Sequence, residues 1–331
     1  MAQSIFDTTT KQRIVGIGSA LIDILINASD EFVSLIGATK GGMIYVENTY
    51  IDNIINQTDM RPKVVPGGSA CNTLIGIGKL GGKARFVGKL GEDEYGRLFR
   101  DSLIANNVEP LLITSPSPTG RVLSVITPDA ERSMLTCLGA SAETQPEEIN
   151  TELFENTAIT LVEGYQLFNQ DLTLAILKAA KAADVLIALD LASFTVVEEA
   201  ETFLKQIVAD YVDILVANED EARAFTGYAD EDKAIRALAQ TCQLAVLKLG
   251  ARGSVIAHKS QFVEVSAMQG DDIIDTTGAG DLWASGFLYG LVNGFSLEKC
   301  GQIGSACGYE VCRVIGANIP DAGWKRIKAL L

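Results

Sequence analysis

Between residues 159 and 257 the chain alternates two kinds of segment, and this alternation narrows the fold more than any other feature. Five short runs, Ile159–Glu163, Val185–Asp190, Ile214–Ala217, Leu244–Lys248 and Ser254–Ala257, are almost continuously apolar and rich in β-branched residues. Strands of that kind are buried on both faces. Helix-period segments lie among them at Leu172–Ala183, Ala200–Ala209, Glu219–Thr226 and Asp232–Thr241. Nearer the N-terminus, Arg13–Ile17 and Ala84–Gly88 flank a helical stretch at Asn72–Lys79. The expected fold class is therefore α/β, a three-layer, mostly parallel sheet with helices on both faces.

Two segments break the rhythm. Residues 23–48 and 117–137 alternate polar and apolar positions, with turn signals at Lys40-Gly41-Gly42 and Pro128-Asp129. They are expected to form a small β-rich lid of alternating strands. The large α/β unit then comprises residues 1–22, 49–116 and 138–331. The first residues, through Arg13, lack an apolar signal core and read as a short disordered lead.

With 331 residues, 47% of them hydrophobic, the chain is ordinary globular material, enough for a large domain with an insertion. A net charge of −15 argues against nucleic acid as a partner, because phosphate neutralisation calls for a basic stripe. No run approaches the length of a membrane span. The six cysteines show no C-x-x-C spacing and sit mostly in apolar runs, as expected of reduced thiols in a cytoplasmic protein.

The most specific motif is Asp-Thr-Thr-Gly-Ala-Gly-Asp at 275–281, followed at once by a small-residue apolar run, Leu282–Leu291. Short side chains at Gly278, Ala279 and Gly280 expose amides where a helix begins, an arrangement that binds anions. Asp281 then places a carboxylate beside an anion site, where a base for a hydroxyl attacking a phosphate belongs. A helix cap is the structural alternative; the flanking threonines and the small residues Ala284, Ser285 and Gly286 favour a phosphate site.

Four further motifs each carry two readings. Gly67-Gly68-Ser69-Ala70-Cys71-Asn72 is either a helix-opening turn or a place where Gly68 admits a ligand hydroxyl and Asn72 binds a diol. Asp23, just past Gly16-Ile17-Gly18, is either a solvated loop acid or a ligand for sugar hydroxyls. Asn218-Glu219-Asp220-Glu221 either complements a helix dipole or holds Mg²⁺ through water at a strand end. Lys248-Leu249-Gly250-Ala251-Arg252-Gly253 is a hairpin or a loop along which a nucleotide lies.

Other chemistries are closed. Gly76–Gly81 matches G-x-G-x-x-G but ends a helix and precedes a strand, the reverse of a dinucleotide site. There is no G-x-x-x-x-G-K-[ST]. The single histidine, His258, in a strand, argues against a Ser-His-Asp triad or a multi-histidine metal site.

In this order the motifs resemble the ribokinase-like (PfkB) carbohydrate and nucleoside kinase family, from about Arg13 to Asn318. The specific signatures are GGSACN followed by GKLGGKARFVGKLGEDEYG (67–96), and DTTGAGDLWASGFL (275–288). The resemblance implies a ribokinase-like fold and ATP-dependent phosphoryl transfer, with Asp281 as general base and Gly278, Ala279 and Gly280 as the anion hole. It assigns Asp23, Gly68 and Asn72 to sugar hydroxyls, and Asn218 and Glu221 to the Mg²⁺ and phosphate motif. Lys248, Gly250 and Gly253 fall on the nucleotide loop, Lys248 at a position where small hydroxyl residues are common. Asp275, Thr277 and the backbone near Gly316 correspond to a monovalent-cation (K⁺) site.

GIGSALIDILINASDEFV, KGGMIYVE, PTGRVLSVITPDAERSM and LVEGY are most similar to adenosine kinase-type members. The resemblance implies a primary hydroxyl of a nucleoside, adenosine first, as acceptor. Arg132 matches an arginine near the phosphates, and Leu21, Phe168 and Leu135 are candidates for a base slot. Arg121 departs from animal adenosine kinases, and a cation near the substrate favours an acidic or phosphorylated sugar. The alternatives are a ribose, fructose or 2-keto-3-deoxygluconate kinase, or a non-catalytic ligand-binding regulator. Exposed Met43 and Tyr45 leave both a monomer and a lid-mediated homodimer open.

Overall fold

Each continuously apolar run becomes a strand because its alternate residues face two different helix layers. At Ile214–Asn218, Ile214 and Val216 join one buried cluster, and Leu215 and Ala217 join another on the opposite face. The same division holds for Leu244 and Val246 against Ala245 and Leu247. The computed structural model describes residues 11–56, 58, 62–129, 131–270 and 272–331; the lead expected before residue 11 lies outside the described residues.

The chain begins with β1 (Arg13–Ile17), β2 (Leu21–Asn27), α1 (Asp30–Leu35), β3 (Met43–Tyr45), α2 (Asn48–Asn56) and β4 (Lys63–Gly67). Next come α3 (Ser69–Leu80), β5 (Lys83–Gly91), α4 (Glu94–Ala105), β6 (Val108–Ser115), β7 (Gly120–Ile126) and β8 (Arg132–Cys137). The βα repeat continues through β9 (Thr157–Glu163), α5 (Gln170–Ala182), β10 (Leu186–Asp190), α6 (Phe194–Glu199), α7 (Glu201–Tyr211) and β11 (Ile214–Asn218). It ends with α8 (Glu219–Thr226), α9 (Glu231–Leu238) and β12 (Leu244–Lys248). A hairpin of β13 (Ser254–His258) and β14 (Gln261–Val265) precedes α10 (Ala279–Val292), α11 (Leu297–Cys312) and α12 (Asp321–Lys328).

Nine strands form one sheet in the order β14-β13-β12-β11-β10-β9-β1-β5-β6. All neighbours are parallel except the β12–β13 and β13–β14 pairs. Chain order runs outward in opposite directions from the β9–β1 boundary, which makes that boundary a topological switch point. Ligands of open α/β sheets bind outside the carboxyl ends of strands at such points. The α/β expectation holds.

The second sheet has the order β3-β8-β7-β2-β4. Its register sends Ile22, Ile24, Leu123 and Val125 into a core with Val33 and Ile36 of the α1 region and Ile51 and Ile54 of α2. Asp23, paired across from Val122, faces the other way. A one-residue slip would bury Asp23 in that core and expose the isoleucines.

Three expectations need correction here. The bounds 23–48 and 117–137 for the lid are too narrow: β4, assigned to the large unit, pairs antiparallel with β2 from Leu21↔Gly67 to Leu25↔Lys63. Asp30–Leu35 is a helix, not a strand, because Ser29 caps the Phe32 amide and Asp30 and Glu31 complement the first turn. The helix expected from Asn72 begins three residues earlier, at Ser69.

Helix α10 is buried nearly all round, between α3 and α11, and glycines permit the approach. A Cβ on Gly286 would stand 2.7 Å from the Ile303 carbonyl carbon and oxygen, and one on Gly76 would collide with Ser285. We expect Gly286→Ala to cost about 1–3 kcal/mol by overpacking, read as a lower thermal-unfolding midpoint. An unchanged midpoint would contradict this packing of α10 on α11.

Candidate active site

Gly278 starts α10 in the left-handed region, at φ 73°, and a Cβ there would meet the Ala317 Cβ at 2.6 Å. The helix has no side-chain cap. The Ala279 amide donates to the Thr276 carbonyl at 3.1 Å. Among the described residues, the amides of Gly278, Gly280 and Asp281 have no protein acceptor, so two of the three donors expected from Gly278-Ala279-Gly280 are free and Asp281 adds a third.

Asp281 is the third residue of α10, and its side chain does not cap the helix. Its Oδ1 accepts from Ser69 Oγ at 2.7 Å and its Oδ2 from Asn72 Nδ2 at 2.9 Å. Thr73 Oγ1 donates to the Asp281 carbonyl at 3.1 Å. The first turn of α3 thus grips the first turn of α10. Burial pushes the Asp281 carboxyl above its ordinary range, while the Asn72 and Ser69 hydrogen bonds pull it back. Asn72, expected to face a ligand diol, spends its amide on Asp281, and Ser69 was not singled out from the sequence at all.

Gly68 precedes α3 at φ 93°, and a Cβ there would stand 2.7 Å from the Ser19 carbonyl oxygen. This turn is fixed by Glu163, at the end of β9. Its two oxygens accept from the amides of Ser19 and Ala70, each at 3.0 Å. Burial raises the Glu163 carboxyl despite those bonds. Glu163 lies in the LVEGY segment, but neither that segment nor its place at the end of an apolar strand marks it as a site residue.

The neighbouring strand ends supply the remaining body-side groups. Asp190 ends β10 and pairs with Lys248, which ends β12, at 3.0 Å. Asn218 ends β11 and forms a capping box with Glu221: Asn218 Oδ1 takes the Glu221 amide, and Glu221 takes the Asn218 amide and Nδ2. Burial raises the Glu221 carboxyl against the pull of Lys248. Both the helix-capping and the ligand readings of this motif are compatible, since Asn218 and Glu221 also line the cavity.

That cavity, about 350 Å³, lies between the strand ends and the lid. Ser19, Glu163, Tyr165, Asp190, Lys248, Thr276 to Asp281, Gly68, Ser69 and Asn72 contribute on the body side. From the lid come Leu21, Asp23, Met43, Tyr45, Val122, Arg132, Met134, Thr136 and the adjoining Leu138. Arg132 Nη2 lies 3.3 Å from Asp23 Oδ2 and 2.7 Å from Ser124 Oγ. Burial raises the Asp23 carboxyl and Arg132 opposes it.

The apolar wall is therefore made by Met43, Tyr45, Val122, Met134 and Leu138 with Leu21. Leu135 faces the opposite core and is fully buried, and Phe168 is exposed outside the cavity. Strand alternation explains Leu135: Met134 and Thr136 face the cavity, so their neighbour cannot. Arg121 also turns away. It bonds Asn48 and Asp52 of α2 and lies over the Tyr95 ring, so it gives the acceptor no cation.

Gly250 and Gly253 lie outside the cavity, in the β12–β13 turn at φ 53° and 106°. Asp275 takes the Thr277 amide and hydroxyl on one oxygen and the Gly316 amide, at 2.8 Å, on the other. Asp275, Thr277 and Gly316 are thus brought together, with Asp275 tying the loop before α10 to the one after α11. Among the described residues, no group of three His, Cys, Asp or Glu side chains could by itself hold a metal, and no helix is long and apolar enough to cross a membrane.

A buried carboxylate beside helix-start amides, at the carboxyl edge of a parallel sheet and under a β lid, suits phosphoryl transfer to a hydroxyl of a small molecule. The chain belongs to the pfkB family of carbohydrate kinases, whose model matches residues 30–322. It is 30% identical over 254 residues to a 5-dehydro-2-deoxygluconokinase of Bacillus subtilis, covering 72% of this chain and 78% of that one. Its fold superposes on the adenosine kinase from Sinorhizobium meliloti with a TM-score of 0.89 and 31% identity, over 97% of this chain and 100% of that one. A probable sugar kinase from Rhizobium etli gives a TM-score of 0.90 at 29% identity, with the same coverage. The protein is an ATP-dependent sugar or nucleoside kinase.

Asn72 lowers the Asp281 carboxyl, so losing it should raise that group further. The resemblance makes Asp281 the general base, which works ionised; a higher pKa therefore requires a higher pH. We expect Asn72→Ala to move the acid limb of kcat to higher pH in a pH–rate profile. A limb that stays in place would mean that Asn72 does not act through Asp281.

Proposed function

We propose that the enzyme transfers the γ-phosphoryl group of ATP to the 5′-hydroxyl of adenosine. The observation that carries this reading is the division of one cavity into two walls. Asp281 and the α10 amides stand on the body side, and an apolar lid wall of Met43, Tyr45, Val122, Met134 and Leu138 stands opposite. Polar groups for a ribose, Asp23 with Arg132, lie on the same lid sheet. A free sugar, hydroxylated all round, has little use for such a wall, whereas a purine does. The likeness to an adenosine kinase at 31% identity supports the same choice.

Asp281 takes the proton of the acceptor hydroxyl as its oxygen attacks phosphorus, and the α10 amides face the charge that develops on the transferring group. Glu221 and Asn218 suit a Mg²⁺ that arrives with the triphosphate and keeps much of its water, since the described residues offer no closed cage. Lys248 and the turn of Gly250 and Gly253 border the nucleotide side in this reading. Asp275, Thr277 and the Gly316 backbone would hold K⁺, and Gly68 would let the ribose approach the main chain.

A sugar-acid kinase is the second reading. It is favoured by the 5-dehydro-2-deoxygluconokinase likeness and by Arg132, the lid's cation in the cavity. Neutralisation of Arg132 by Asp23 weakens it.

ADP release should be measured with adenosine, inosine, ribose, fructose, 2-keto-3-deoxygluconate and 5-dehydro-2-deoxygluconate, with and without K⁺. We expect adenosine to give the highest kcat/KM; a higher value for any sugar or sugar acid would refute the nucleoside reading. Asp281→Asn should lower kcat by about 10²- to 10⁴-fold while acceptor binding persists in calorimetry. Undiminished turnover would remove Asp281 from the base role.

A further inference from the structure

Lys248 ends β12, yet its ammonium is turned inward. Nζ lies 3.0 Å from Asp190 Oδ2, and the two side chains are 14% and 10% exposed. The other Asp190 oxygen accepts the Ala192 amide at 3.1 Å, which fixes the carboxylate from a second side. The ammonium also lies close to Gly280. A Cβ built there would be 3.2 Å from Lys248 Nζ, with no other atom within 4 Å outside the helix's own backbone and the adjoining residues. The ammonium thus rests against the first turn of α10, one residue from Asp281, and the only atoms glycine omits there are those that would press on it.

Two features separate this pair from an ordinary buried ion pair. Burying both charges is expensive, and an apolar pair of similar volume would usually serve stability as well. The pair also faces a charge imbalance: among the described residues, Asp23, Glu163, Asp190, Glu221 and Asp281 line the cavity against Lys248 and Arg132. Arg132 lies on the lid and is committed to Asp23 and Ser124. Among the described residues, a phosphoryl group entering between Asp281 and the α10 amides therefore has one body-side ammonium, that of Lys248, in the same cavity.

We propose that Lys248 is a catalytic residue whose ammonium, held by Asp190 against Gly280, contacts the transferring phosphoryl group and offsets the charge spread over its equatorial oxygens. The proposal rests on the phosphoryl-transfer reading above. The bond from the acceptor oxygen to phosphorus forms as the bond from phosphorus to the bridging oxygen breaks. The departing electron pair stays on ADP and the hydroxyl proton passes to Asp281. Lys248 gives up no proton: burial alone would favour its neutral form, but the charges of Asp190 and Glu221 outweigh burial and keep it protonated. A compact ammonium fits the narrow space over a glycine better than a planar guanidinium. Asp190 is a positioning residue that acts through Lys248.

The test compares wild type with Lys248→Met, Lys248→Arg and the double variant Asp190→Asn/Lys248→Met, which removes both charges together and guards against misfolding from a lone buried acid. Steady-state kinetics are paired with calorimetric binding of ADP alone and of ADP with aluminium fluoride, a mimic of the phosphoryl group in flight, each with acceptor present. Expected for both methionine variants are a kcat lower by about 10²- to 10³-fold, ADP affinity near wild type, and loss of the tightening that aluminium fluoride gives. Lys248→Arg should recover part of the tightening. The proposal is overturned if the methionine variants keep the full tightening, or if they lose ADP affinity while kcat stands. Wild-type protein that binds ADP and turns over no acceptor would instead overturn the phosphoryl-transfer reading, and the Lys248 role with it.

Discussion

The hydrogen bonds from Ser69 and Asn72 to the Asp281 carboxylate join the first turns of two helices that enter from opposite ends of the sequence. Two helix N-termini normally repel, because each carries partial positive charge on unsatisfied amides. A carboxylate between them turns that repulsion into attraction, and the two hydrogen bonds oppose the upward push that burial gives its pKa. The rest of the site is arranged around this junction. Gly76 against Ser285 lets α3 and α10 lie close, and Gly286 lets α10 settle on α11. Glu163 then fixes the approach of α3 from below by taking the Ala70 amide and the Ser19 amide together.

The lid divides its labour by face. One side of its sheet is committed to a core with α1 and α2, and the other presents Asp23, Arg132 and an apolar wall to the cavity. Arg121 shows how strictly register governs this. It directly precedes Val122, which lines the cavity, yet it points to Asn48, Asp52 and Tyr95 on the far side. Arg121 therefore gives the cavity no cation, Arg132, which does line it, is already paired with Asp23, and the pocket is less cationic than its sequence suggests.

The fold was largely legible. The strand runs at Arg13–Ile17 and Leu244–Lys248 and the helix at Glu219–Thr226 occupy the residues expected. They are legible because a strand buried on both faces leaves no polar alternation to confuse the pattern. Strand β4 was missed because Lys63–Gly67 carries a proline and a glycine and sits at a sheet edge, where only pairing with β2 makes it a strand. Helix α1 was missed because six residues are too few for a helical period to show. Within the site, Asp281, Asn72, Gly68 and Asp23 carried motif signals and do meet in one cavity. Asp190 carried none, and Ser69 and Glu163, though inside GGSACN and LVEGY, were given no role, since a strand's last residue or a helix's first acquires meaning only from what stands opposite.

The sequence by itself determined that a parallel sheet would form, that a glycine-rich turn would open a buried helix, and that an acid would stand at that turn. Those are local consequences of side-chain size, branching and backbone freedom. Only the tertiary structure decided which groups the acid would meet, that Asn72 would serve it before any ligand, and that Lys248 would turn inward to Asp190. Those outcomes depend on strand register and on helix approach distances, which bring together residues up to 212 positions apart. No local stretch of chain encodes such distances, because they arise when the two faces of the sheet and the lid bury their apolar surfaces at once.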